Sequence, residues 1–136
     1  MNYSTRSNAL NQYRQVNVHG SVPEASPYQL VQLLFQGGLD RLATAKACIA
    51  ENDIAAKARN ITKALNIIGE LRGSLDLEVG GELAANLDNL YEYMGRRLVE
   101  ANLHSDVAIL NEVSSLLGEI KSAWEAIPAD QREPRR

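Results

Sequence analysis

The sequence predicts an all-α protein, an antiparallel four-helix bundle with a short N-terminal helical segment. Three observations carry that reading. Apolar residues recur at alternating spacings of three and four through four stretches, the period of a helix face and not of a strand. Each stretch is bounded by capping or breaking residues. The 136 residues, 45% hydrophobic and 23% charged, suit one domain with an ordinary buried core.

Residues 1–24 are polar and interrupted by Gly20 and Pro23, but Leu10, Tyr13 and Val16 recur at three-residue spacing. One or two turns are marginal alone and must pack on something to persist, so this segment is expected to act as a lid on the bundle of residues 25–128. The first long helix starts at a capping box, with Ser26 as cap, Pro27 at the first helical position and Gln29 three after the serine. Its seam is Val31, Phe35, Gly38, Leu42, Ala45 and Ile49. Asn52-Asp53 turns and caps the second helix, with Ile54, Ala58, Ile61, Leu65 and Ile68 inward and Leu71 and Leu75 beside them. Gly73 and then Asp76 through Gly81 read as a stop. The third helix is expected from about Glu82, placing Leu83, Leu87, Leu90, Met94, Leu98 and Ala101 in the core. Ser105-Asp106 caps the fourth, with Leu110, Val113, Leu117, Ile120, Trp124 and Ile127 on its seam. Pro128 ends it, leaving residues 129–136 as a flexible tail. Short connections make successive helices antiparallel neighbours.

Several function classes are excluded by what is missing. A net charge of −3 with mixed signs offers no basic stripe for nucleic acid. The N-terminus lacks the apolar core of a signal peptide, and no stretch approaches the ~20 apolar residues of a membrane span. The expected location is the cytoplasm, without membrane insertion. Cys48 is the only cysteine and has no neighbour placed to activate it, so it reads as a small packing residue. Glu100 and His104 share a helix face near Asp106, but a di-iron bundle needs two Glu-x-x-His pairs, and His19 lies in the N-terminal segment. His104 reads as a helix-end residue interacting with the last carbonyls. Lys63 and Glu92 read as solvated faces, and Gly37-Gly38 as a place of close helix packing or slight bending. No catalytic residue, no metal ligand set and no cofactor are expected.

What remains is surplus apolar surface. At 100° per residue Leu30, Leu33, Ile67, Val99 and Leu103 fall off the four seams. Isolated exposed leucines are normal, and the N-terminal turns offer one cover for them. The sharper reading is a partner-binding surface of the helix-in-groove kind.

Several segments together resemble the flagellin export chaperone family, FliS. They are Ala25-Ser26-Pro27-Tyr28-Gln29-Leu30 and Phe35-Gln36-Gly37-Gly38, then Ile61, Lys63-Ala64, Ile67-Ile68, Leu71 and Leu75-Asp76. Gly80-Gly81-Glu82, Leu90-Tyr91-Glu92-Tyr93-Met94, Arg96-Arg97-Leu98, Ala101-Asn102, Glu112-Val113 and Ala123-Trp124 complete the set. The resemblance covers roughly residues 9–127. Phe35 departs from it, since the family often carries Tyr there, and the Pro-Arg-Arg terminus matches nothing in it. The resemblance implies a chaperone that binds the C-terminal segment of flagellin, blocks its polymerisation and delivers it to a flagellar export gate component without ATP. It also implies that the N-terminal segment, here Leu10, Tyr13 and Val16, rests on the bundle and shifts when flagellin binds. A helical-bundle adaptor that self-associates as a weak homodimer, without flagellin specificity, is the alternative.

Overall fold

The computed structural model describes residues 26–132; Leu10, Tyr13 and Val16, and the lid expected of them, lie outside the described residues. Among the described residues four α-helices follow one another: α1 (Pro27–Ala50), α2 (Ile54–Gly73), α3 (Leu77–His104) and α4 (Val107–Glu125). They form a ring in which α1 and α3 each pack on both α2 and α4. Contacts between ends show each neighbour running antiparallel. Tyr28 meets Trp124 at one end of the α1–α4 pair and Lys46 meets Asn111 toward the other. Arg72 meets Asp88 and Lys57 meets Asn102 along α2 and α3.

Each helix begins with a side-chain cap, which satisfies amide groups that have no partner within the helix. Ser26 Oγ accepts from the Gln29 amide while Gln29 Oε1 accepts from the Ser26 amide, with Pro27 behind them. Asp53, Asp76 and Asp106 accept from the first-turn amides of α2, α3 and α4. Each such cap stabilises by ~1 kcal/mol.

The core is aliphatic with few rings: Phe35, Leu42, Ile61, Leu71, Met94, Leu98, Leu110, Val113 and Leu117 are sealed from solvent. Gly37 and Gly38 let α1 approach α2 and α4 closely. A Cβ on Gly38 would stand 2.9 Å from Leu117 Cδ2 and 3.4 Å from Ile67 Cγ2. The inward row of α2 is Lys57, Ile61, Ala64, Ile68 and Leu71; it keeps the expected Ile61, Ile68 and Leu71 but is shifted toward Lys57 and Ala64. Ile54 is consequently exposed, and Ala58 and Leu65 sit at the edge. Trp124 is half-buried, packed against the core rather than within it. After α4 residues 129–132 are held, where a flexible tail of residues 129–136 was expected; residues 133–136 lie outside the described residues. A 3-10 turn spans Ala129–Gln131, and the Arg132 guanidinium donates to the carbonyls of Ile127 and Glu125 and lies over the Tyr28 ring.

The start of α3 differs most from expectation. It begins at Leu77, not Glu82, with a break at Gly81 (φ 55, ψ −131). The Arg72–Asp88 pair sets the last turn of α2 level with Asp88. A straight α3 would therefore overshoot α2 by roughly ten residues, a rise of about 15 Å. From Gly73 to Leu77 the chain reaches at most about 14 Å, before the 8–10 Å between packed helix axes is crossed. The connection closes because the chain bends out of the helix line at the Gly81 kink. On Gly80 a Cβ would lie 2.6 Å from that of Ala84, so the bend uses both glycines. Leu83, expected in the core, is exposed because it lies past the end of α2. Gly81→Ala is expected to cost about 1–3 kcal/mol, the strain of forcing a side chain into this conformation. A thermal melt within a degree of the parent would show that the bend is not required.

Tyr91 is buried on the inward row of α3, and burial pushes its hydroxyl up from 10.0 to about 12. A raised value favours the protonated phenol in the folded state. That stability is complete below pH 10 and is lost as the pH rises toward 12. Tyr91→Phe is expected to flatten the loss of stability between pH 10 and 12 in urea titrations; an unchanged alkaline limb counts against this burial.

Candidate partner-binding surface

The outer face of α3 carries exposed aliphatic side chains. Leu103 is 76% exposed and Val99, one turn earlier, 59%. Ile54 and Val107, also exposed, begin α2 and α4 at the same end of the bundle. Charged groups frame this face. Arg96 is fixed by two 3.0 Å bonds from Nε to Glu92, so Glu92 is paired and half-buried rather than freely solvated.

Toward α4, Arg97 donates to Glu112 and Glu100, each at 2.8 Å, and the Tyr93 hydroxyl donates to Glu112 at 2.5 Å. The bond from Tyr93, and then that from Arg97, holds the Glu112 carboxyl below the ordinary glutamate value. These groups lie near solvent and serve mainly to orient α3 on α4.

The end of α3 is held by a residue the sequence reading passed over. Lys57 of α2 is only 4% exposed, and its ammonium donates to the Asn102 carbonyl and Ser105 Oγ, both at 2.8 Å. Ser105 sits in the left-handed region (φ 51), and its amide closes on the Ala101 carbonyl. A cation at a helix C-terminus meets orphan carbonyls and the negative end of the macrodipole. His104 was expected in that role, but it is exposed and donates none of the hydrogen bonds found among the described residues. Lys57 therefore fixes the turn that presents Leu103.

The five aliphatic residues expected on this surface separate. Leu33, Val99 and Leu103 are exposed. Leu30 is not: at 7% exposure it is buried, on a strip of α1 that also takes in Tyr28, Leu34 and Phe35. Ile67 is half-buried under Gly37 and Gly38. Nor are the exposed three contiguous. Leu33 lies near the start of α1, whereas Val99 and Leu103 lie near the end of α3, diagonally across the ring. Among the described residues no group of His, Cys, Asp and Glu is arranged to hold a metal ion, and no helix is long and apolar enough to cross a membrane.

Residues 9–131 match the model of a family described as flagellar protein FliS. The chain belongs to the FliS family. It is 54% identical over 119 residues to flagellar secretion chaperone FliSB of Pseudomonas aeruginosa, covering 88% of this chain and 94% of that one. It is 43% identical to flagellar secretion chaperone FliS of Salmonella typhimurium, over 89% of this chain and 90% of the relative. The FliS of Bacillus subtilis, with the same description, is 36% identical over 85% of each chain. FliS is thus a family of chaperones, not enzymes, and the site to explain is a protein-binding one.

Proposed function

We propose that this protein is a cytoplasmic flagellar secretion chaperone that binds the C-terminal segment of flagellin, prevents its premature polymerisation and delivers it to the flagellar type III export apparatus. The names of its relatives support the chaperone role. The observation that carries the binding part is the exposed aliphatic pair Val99 and Leu103 on a face whose backbone is anchored by a buried lysine. Leu33 stands diagonally away from them, so one partner touching all three must be extended and wrap the bundle. A segment disordered when free and ordered on binding has that property, with apolar burial offsetting the ordering cost. Leu10, Tyr13 and Val16 are proposed to form a lid that the partner displaces.

Burying one aliphatic side chain contributes ~1.5–3 kcal/mol, roughly a ten- to hundredfold change in affinity. Leu103→Asp is therefore expected to weaken binding of a flagellin C-terminal peptide by that factor while barely moving the melting temperature. Leu30→Asp should do the reverse, unfolding the bundle because it places a charge in a buried site. Calorimetric titration paired with melts reads both, and deletion of residues 1–18 in the same series should leave affinity undiminished. Unchanged peptide affinity in Leu103→Asp removes this face from the binding site. A protein that ignores the peptide and self-associates in sedimentation is the homodimeric adaptor instead.

A further inference from the structure

The bend at Gly81 leaves the first part of α3 as an arm past the end of α2, remote from Val99 and Leu103. Three aliphatic side chains on it are exposed: Val79 to 85%, Leu83 to 68% and Leu77 to 54%. Three such residues within seven positions exceed the scattered single leucines of an ordinary surface. The arm is also held in shape. Asp76 accepts from the Glu78 and Val79 amides, Gly80 donates to the Asp76 carbonyl, and Gly81 fixes the bend.

Its charge is of one sign. No Lys or Arg occurs between Arg72 and Arg96. Asp88 is paired with Arg72 and Glu92 with Arg96. Asp76, Glu78 and Glu82 have no ion-pair partner among the described residues, and all three are exposed beside the aliphatic side chains. Carboxylates interleaved with aliphatics complement a segment that interleaves Lys or Arg with aliphatics. Opposite charges then steer the encounter and reject acidic competitors. A pre-shaped arm also spends little ordering entropy on binding.

We propose that this arm, residues 76–83, is a docking site for a basic amphipathic segment of a second protein, separate from the Leu103 face. The chaperone therefore carries a partner-binding surface at each end of α3. Only the separateness rests on the flagellin reading; the docking site stands on the arm itself.

The test uses the full chain and a short synthetic amphipathic peptide of leucine and lysine, with a leucine–glutamate peptide as control. The basic peptide is expected to bind, to lose at least about tenfold in affinity with Val79→Ser/Leu83→Ser and again with Glu78→Lys/Glu82→Lys, and to weaken at raised salt. These residues are exposed, so melting curves of the variants should match the parent. Leu103→Asp should leave the basic peptide's affinity unchanged. Equal binding of both peptides, or parental affinity in either arm variant, overturns the docking site. Displacement of the basic peptide by the flagellin C-terminal peptide would make the arm part of the flagellin path and overturn its independence.

Discussion

Replacing Trp124 with alanine is expected to destabilise the bundle by about 3 kcal/mol, the lower end of what losing a large aromatic from a core costs. The indole stacks on Tyr28 with centroids 5.1 Å apart and an interplanar angle of 11°, and Phe35 stands tilted 6.4 Å away. Two reciprocal bonds lock the stack. Trp124 Nε1 donates to the Tyr28 carbonyl and the Tyr28 hydroxyl donates to the Trp124 carbonyl, both at 3.2 Å. Arg132, 4.8 Å above the Tyr28 ring, covers its outer face. The cluster thus closes the start of α1 onto the end of α4, the junction where no connecting loop holds neighbouring helices together. Trp124→Ala removes the stack, one hydrogen bond and the shield over Phe35 at once. For a domain of this size the melting temperature should fall by roughly 10 °C or more. Trp124→Phe keeps the ring and loses the indole donor, a change of about 1 kcal/mol. If alanine and phenylalanine melt alike, the stack contributes nothing and the junction is held elsewhere.

The number of helices and three of their four starts were legible because caps are local. Ser26, Asp53 and Asp106 announce themselves by residue type and spacing. The start of α3 was not legible, because Gly80-Gly81 in a sequence normally means a stop. Here the pair bends a chain that has already begun to coil, and the need for it comes from how far α3 overshoots α2. That distance is a tertiary fact.

On α2 Ile61, Ile68 and Leu71 are buried as expected, but the rest of the row lies to one side, for a related reason. Following the larger side chains gives Ile54, Ala58, Ile61, Leu65 and Ile68. The buried row instead passes through Lys57 and Ala64, and a seam that admits a lysine looks wrong until its partner is known. Leu30 was misplaced because periodicity assigns every helix the same width of buried strip. On α1 the buried strip is wider, taking in Tyr28 and Leu30 as well as Leu34 and Phe35. The same limits explain the candidate surface: Val99 and Leu103 are legible because no other described helix packs on that face of α3, whereas the arm at residues 76–83 carries the Gly and Asp residues of a loop.

Lys57→Met is expected to destabilise the bundle by about 2–4 kcal/mol, although it replaces a charged side chain with an apolar one of similar length in a buried position. Hydrogen bonds from a charged donor contribute about 1.5–3 kcal/mol each, and a cation at a partly buried helix C-terminus up to ~2 kcal/mol. The ammonium makes two such bonds, to Asn102 and Ser105. Removing it leaves the Asn102 carbonyl without that donor and exposes the αL residue Ser105 to its own backbone preference. Desolvating the ammonium opposes these gains, which is why the net falls below their sum. The bond is shielded from solvent, so the loss should be nearly the same at low and high salt, unlike that of a surface pair. Hydrogen exchange should quicken first at the last turn of α3, where Leu103 is presented, and flagellin peptide affinity should fall with it. Parental stability in Lys57→Met, or a loss that disappears on adding salt, would mean that the end of α3 is held by something other than this lysine.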